Sequence, residues 1–158
     1  MKLKYYLIRH GKTDANRMAR AAYGKQGAPL NDEGNQQARA LRKRLLGYGF
    51  DLNTVPVAVS ELLRAQQTAE LAGLKNITVN SLLNEVNTPD PQKTTEQLKQ
   101  GIIAEEATQA AKSLLLNPPK ATIWVTHGQL IAAVLQELKQ NDPHKFMPDF
   151  CEIREIEL

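Results

Sequence analysis

Cysteine is nearly absent, with Cys151 alone among 158 residues. One thiol can form neither an intrachain disulfide nor a cysteine-based zinc site, so a disulfide scaffold and a structural metal are both disfavoured and a reducing compartment is expected. Aromatic residues make up only 5%, which leaves little stacking surface for single-stranded nucleic acid. No stretch approaches the ~18 consecutive apolar residues of a membrane span. The apolar run near the N-terminus, ending at Leu7-Ile8, is broken at once by Arg9 and is too short for a signal peptide. The expected location is the cytoplasm, with no membrane partner.

What is present fits an ordinary globular chain. The length matches one domain on the soft prior of ~150 residues each, so residues 1–158 are read as a single unit. Hydrophobic residues at 42% and charged residues at 23% lie far from the composition of disordered segments. The formal charge of +3 is unevenly spread. Residues 1–50 hold eleven Lys or Arg against Asp14, Asp32 and Glu33, whereas the remainder holds nine against fourteen acids. A basic first third fits a nucleic-acid surface, an anionic small-molecule site or, most simply, a solvated basic helix.

Periodicity orders the chain as β, α, β, α, β, α, β, α, β. Residues 3–8 read as a short buried strand ending at Arg9-His10-Gly11. Asn31 is a suitable N-cap, followed by Asp32 and Glu33 in a first turn and by Ala38, Leu41 and Leu45 on one face to about Leu46. Residues 55–59 form a second strand closing at Ser60, and Leu62, Ala65, Ala69 and Ala72 form the stripe of the next helix. A third strand is expected at 77–79, a loop at 87–93, and helix from Thr94 to Leu116 interrupted near Gly101. Ala121 to Thr126 is the clearest buried strand, running into His127-Gly128 and a helix over Leu130 to Leu138. Cys151 to Leu158 supplies the last strand, with Cys151 packed in it. Such alternation implies a three-layer α/β/α domain around a mostly parallel, doubly wound sheet, with ligands at the carboxyl ends of the strands.

Three of those strand ends carry chemistry: Arg9-His10-Gly11, Ser60 with Arg64 one helical turn on, and His127-Gly128. A doubly wound sheet brings them into one pocket although they are 54 and 63 residues apart. Two imidazoles and two guanidinium groups suit a phosphoryl group. A neutral imidazole attacks phosphorus in line, and guanidinium groups hold the equatorial oxygens. Each block alone has a plainer reading: an Arg-His-Gly tripeptide arises by chance, and a histidine after a strand is commonly a hydrogen-bonded core residue.

Taken together, five blocks in order resemble the histidine phosphatase superfamily, also called phosphoglycerate mutase-like. They are Leu7-Ile8-Arg9-His10-Gly11-Lys12-Thr13-Asp14-Ala15-Asn16, Pro29-Leu30-Asn31-Asp32-Glu33-Gly34 with Gln37-Ala38, Ser60-Glu61-Leu62-Leu63-Arg64-Ala65-Gln66-Gln67-Thr68-Ala69, Leu82-Leu83-Asn84-Glu85, and Val125-Thr126-His127-Gly128. The resemblance implies that His10 is the nucleophile, that Glu85 is the proton donor, that His127 is the second pocket imidazole, and that Arg9, Asn16, Arg64, His127 and Gly128 bind the phosphoryl group. It also implies a structural role for the block at Gly34 and substrate contact at Gln26-Gly27. The implied reaction is metal-independent, without cofactor: His10 takes the phosphoryl group, Glu85 protonates the leaving alcohol, and water activated by Glu85 hydrolyses the phosphohistidine.

Two departures from the family's pattern refine this expectation. Glu85 is followed by Val86-Asn87-Thr88-Pro89-Asp90-Pro91 rather than the usual glycines and an acidic or aromatic residue. Only 41 residues separate Glu85 from His127, a short cap insertion that implies an open site, favouring hydrolysis over mutase action and admitting a phosphorylated small molecule or a phosphorylated protein side chain. Alternatives are phosphoglycerate mutase-type transfer and a non-catalytic phosphate-binding regulatory module. Nucleic-acid binding rests only on the basic first third, with no recognition motif beside it. Competing signals fail on inspection. Gly11-Lys12-Thr13 lacks the first glycine of a P-loop, since that position is Tyr6. A cysteine-phosphatase arginine six residues after Cys151 would be Glu157, and in Asp51-Leu52-Asn53-Thr54 the second aspartate is Asn53. His144, beyond Asp142-Pro143, reads as a surface residue. Oligomeric state has no signature in the sequence.

Overall fold

The computed structural model describes residues 2–14, 23–140 and 147–158. Five strands, β1 (Lys4–Arg9), β2 (Val57–Val59), β3 (Ile77–Val79), β4 (Ile123–Thr126) and β5 (Ile153–Glu157), form one sheet in the order β3-β2-β4-β1-β5. The first four run parallel and β5 pairs with β1 antiparallel. Side chains alternate across the sheet with period two, as a pleated strand requires. Ile8, Val57, Val59, Ile123 and Val125 face one way, and Leu7, Ala58 and Trp124 the other.

Helices cover both faces. On the first lie α1 (Asp32–Gly47) and α2 (Leu63–Leu71), contributing Ala38, Leu41, Leu45, Ala65 and Ala69. On the second lie α4 (Glu105–Leu116) and α5 (Gly128–Glu137), contributing Ala107, Ala111, Leu114, Leu130, Ile131 and Val134. A shorter helix, α3 (Pro91–Lys99), precedes α4. Trp124 is fully buried and its indole N–H finds the Ala121 carbonyl at 2.8 Å, so its burial leaves no orphan donor. Among the described residues no helix is long and apolar enough to cross a membrane.

Three expectations from the sequence need correcting. Pro91 starts a helix rather than belonging to a loop. Asp90 caps it by accepting from the Lys93 N–H, and proline at the first helical position loses a donor that had no partner anyway. The break at Gly101 then separates α3 from α4. Cys151 is not in the last strand: it occupies a turn before β5 with φ +58°, its N–H donating to the Arg9 carbonyl at 2.9 Å and its carbonyl accepting from Arg44 Nη2 at 2.8 Å. The last helix begins at Gly128, two residues earlier than apolar periodicity indicated, because small residues at its start carry no periodic signal.

Candidate active site

Register decides what meets at the carboxyl edge. Arg9 is opposite Thr126 and Val59 opposite Val125, so the next residues, His10, Ser60 and His127, leave the sheet side by side. Backbone bonds carry the pairing past the strands: His10 N–H donates to the Thr126 carbonyl at 3.1 Å and Ser60 N–H to that of Val125 at 3.1 Å. The two imidazole centroids are 5.1 Å apart.

His10 is buried, and its Nδ1 lies 2.6 Å from the Gly11 carbonyl. A carbonyl can only accept, so Nδ1 carries the hydrogen and Nε2 presents its lone pair. Burial, and then the Arg64 charge, hold this imidazole neutral well below the usual histidine range. Arg64 Nε donates to that Nε2 at 3.3 Å, and Arg64 Nη2 stands 3.5 Å from Glu85 Oε2. Glu85 Oε2 in turn lies 3.7 Å from His127 Nδ1. Burial raises the Glu85 carboxyl above its ordinary value, opposed by Arg64. His127 is fully buried and is likewise kept neutral, by burial and then by His10, Arg64 and Arg9.

Arg9 is fixed from outside the first block. Its Nη1 donates to the Pro148 carbonyl at 2.7 Å and its guanidinium lies 3.9 Å over the Phe150 ring. Burial lowers it to about 10, with Glu85 acting in the opposite direction, so it stays charged at neutral pH. Thr68 joins the two clamps, accepting from the Gly11 N–H at 3.0 Å and donating to the Arg64 carbonyl at 2.7 Å. The helix α1 meets the loop after His10 at Gly34, where a Cβ would overlap the Lys12 carbonyl oxygen and come within 2.9 Å of its nitrogen. That contact accounts for a glycine one turn inside a helix.

These groups open into a cavity of about 580 Å³ lined by Arg9, His10, Arg64, Glu85 and Gly128 at its floor, and by residues of α3 and the 24–28 segment at its walls. The short insertion thus supplies one wall through Pro91, Thr95 and Lys99. Gly27 lines the cavity with φ +77°, and a Cβ there would sit 2.8 Å from Arg64 Nη1, so the loop lies flush on the guanidinium. Gln26 is exposed and does not line the cavity; its neighbour Lys25 does. Asn16 and His144 lie outside the described residues. Ligand atoms of His10, Glu85 and His127 fall within 4.8 Å of one another, a spacing that could hold a cation. Two guanidinium groups beside them make the same space a better host for an oxyanion.

Sequence reasoning assigned no role to Thr68, Asn84, Lys25 or Phe150. Thr68 and Asn84 stand within the quoted blocks, four residues after Arg64 and one before Glu85, so helical spacing and adjacency could have nominated them. Phe150 lies in no block, and only the fold brings it to Arg9.

A model of the histidine phosphatase superfamily (branch 1) matches residues 5–113. PhoE of Bacillus subtilis, named as an uncharacterized phosphatase, is 28% identical over 162 residues, covering 87% of this chain and 78% of that protein. The adenosylcobalamin/alpha-ribazole phosphatase of Escherichia coli is 44% identical over 69 residues, covering 44% of this chain and 32% of that protein. Among solved structures, TTHB049 from Thermus thermophilus superposes with a TM-score of 0.67 at 26% identity, covering 98% of this chain and 93% of that one.

Proposed function

This chain belongs to the histidine phosphatase superfamily and is a phosphatase, and from that premise we propose that it hydrolyses a phosphomonoester through a covalent phosphate on His10 Nε2. The observation that carries the reading is the environment of His10. It is neutral, its hydrogen is committed to the Gly11 carbonyl, and its lone pair faces Arg64 and the cavity.

In the first half-reaction Nε2 attacks phosphorus, the P–N bond forms and the bond to the leaving oxygen breaks. Glu85, a carboxyl raised by burial, gives that oxygen its proton. Arg9, Arg64 and the N-terminus of α5 at Gly128 bind the equatorial oxygens, where charge spreads in the transition state. Glu85, now a carboxylate, takes a proton from water as it attacks phosphorus, the P–N bond breaks, and inorganic phosphate leaves. Every proton and electron pair is accounted for by these groups and water.

Substrates of this class are phosphorylated small molecules. The cavity between α3 and the 24–28 segment also supports a phosphorylated protein side chain as substrate. The test is hydrolysis of an aryl phosphate by purified protein in excess chelator. Turnover that vanishes in His10→Ala is expected, with a phosphoprotein intermediate trapped by a denaturing quench at alkaline pH, stable in base and labile in acid as a phosphoramidate is. Undiminished turnover in His10→Ala would overturn the mechanism. Glu85→Gln is expected to slow esters with poor leaving groups more than good ones, because a good leaving group needs little protonation. Equal slowing would remove Glu85 from the acid role.

A further inference from the structure

His127 Nδ1 is fully buried and has no hydrogen-bond partner among the described residues, whereas its Nε2 lies 2.8 Å from Ser60 Oγ. The network behind Ser60 settles which nitrogen carries the hydrogen. The Glu61 backbone N–H can only donate, and it meets one end of the Asn84 amide at 2.8 Å. The Glu61 carboxylate can only accept, and it meets the other end at 2.8 Å. The amide is therefore oriented with Oδ1 toward Ser60, 3.1 Å away. Two acceptors need a hydrogen between them, so the Ser60 hydroxyl donates to Asn84. Leu62 N–H donates to Ser60 Oγ at 3.1 Å, filling one lone pair. The remaining lone pair can only accept, and the group that faces it is His127 Nε2.

We propose that Asn84 and Ser60 are positioning residues that hold His127 as the Nε2–H tautomer, so that Nδ1, buried behind the cavity floor on the side of Glu85, is a bare acceptor, and an oxyanion bound beside Glu85 is met with uptake of one proton at Nδ1. A lone pair repels a phosphoryl oxygen; a protonated Nδ1 donates to it. The charged groups around Nδ1 are Arg9 beside His10 at the end of β1, Arg64 on α2, and Glu85 at 3.7 Å after the 81–83 turn; α5 itself brings only Gly128 and Gln129. In the free protein burial, and then His10, Arg64 and Arg9, keep Nδ1 bare. A dianion arriving beside it reverses that balance, and the imidazolium joins the two guanidinium groups as a third cation. This rests on reading the pocket as a phosphoryl site, but the tautomer is a property of the free protein and is measured without turnover.

The experiment is long-range ¹H–¹⁵N correlation on protein labelled at histidine nitrogen, at about pH 8 where a phosphomonoester or phosphate is mainly dianionic, with the His127 signals assigned by their loss in His127→Gln. The Nε2–H tautomer is expected. Asn84→Ala, which frees the Ser60 hydrogen, should shift His127 toward Nδ1–H, while Asn84→Asp, which keeps an oxygen facing Ser60, should retain Nε2–H. An Nδ1–H or doubly protonated His127 in the free wild type would overturn the proposal. Calorimetric titration with inorganic phosphate, in buffers of different ionisation enthalpy, should show uptake of about one proton per phosphate that persists in Glu85→Gln. Uptake that disappears in Glu85→Gln assigns the proton to Glu85 and overturns the Nδ1 assignment. No binding of phosphate by either form overturns the uptake and the phosphoryl reading together, with the tautomer decided separately.

Discussion

Replacing Thr68 by valine keeps the shape of a fully buried side chain and removes one hydroxyl. That hydroxyl is the acceptor for the Gly11 N–H at 3.0 Å and the donor to the Arg64 carbonyl at 2.7 Å. In the variant the Gly11 N–H stays buried with no acceptor, a cost of ~1–3 kcal/mol that outweighs the modest net value of the bonds themselves. A loss of about 2 kcal/mol lowers Tm by roughly 4–8 °C for a chain of this size. In urea the midpoint should fall with an unchanged slope, since the surface exposed on unfolding is the same. Thr68→Ser is the control: it keeps both bonds and loses one methyl, about 0.8 kcal/mol. Activity should fall in valine and recover in serine, because the Gly11 peptide also orients His10. A valine variant within about 0.5 kcal/mol of wild type, or a serine variant equally unstable, would refute the account of Thr68 as the tie between the two clamps.

Three further outcomes are expected. Gly34→Ala sets two effects against each other: helix propensity favours alanine by about 1 kcal/mol, but its Cβ would overlap the Lys12 carbonyl. Overpacking against backbone wins, giving net destabilisation of ~1–3 kcal/mol by thermal unfolding; a stabilised variant would show that the two segments separate freely. His10 and His127 are held neutral in the fold well below the ordinary histidine pKa. The unfolded chain therefore binds more protons than the native one below about pH 6.5, and stability must fall as pH drops through that value, by up to about 1.4 kcal/mol per pH unit for each histidine. Urea midpoints at about pH 7 and about pH 5.5 should differ less in a His10→Gln, His127→Gln double variant. Phe150→Leu removes the ring under the Arg9 guanidinium, worth ~0.5–2 kcal/mol; the expected effect is weaker phosphate binding with the fold retained, read by calorimetry.

The layered α/β/α architecture was legible because strands buried on both faces, such as Ile123–Thr126, read as short apolar runs, and helices as stripes. The direction of β5 was not, since Ile153 and Ile156, three apart among charged residues and on opposite faces, say nothing about which way the strand runs. In the pocket, His10, Arg64, Glu85 and His127 were nameable because each stands in a block whose local geometry is written in adjacent residues. Their hydrogen-bond partners were not, because Ser60 meets His127 across 67 residues and Pro148 meets Arg9 across 139. Long-range register, rather than local pattern, decides those contacts. Pro91 misled for a local reason: the same residue that ends helices begins them well.

Cys151 is a built-in reporter on the phosphate clamp. Its thiol is buried, and burial pushes it up to about 11, so in the closed protein thiol reagents meet neither an accessible nor an ionised sulfur. Its neighbour Phe150 stacks on Arg9, and its own N–H is tied to the Arg9 carbonyl. Any opening that exposes the sulfur must therefore loosen the residues that hold Arg9. Labelling kinetics at this one site, with and without phosphate, would read the frequency of that opening with no added probe, as amide exchange does for a single protected proton.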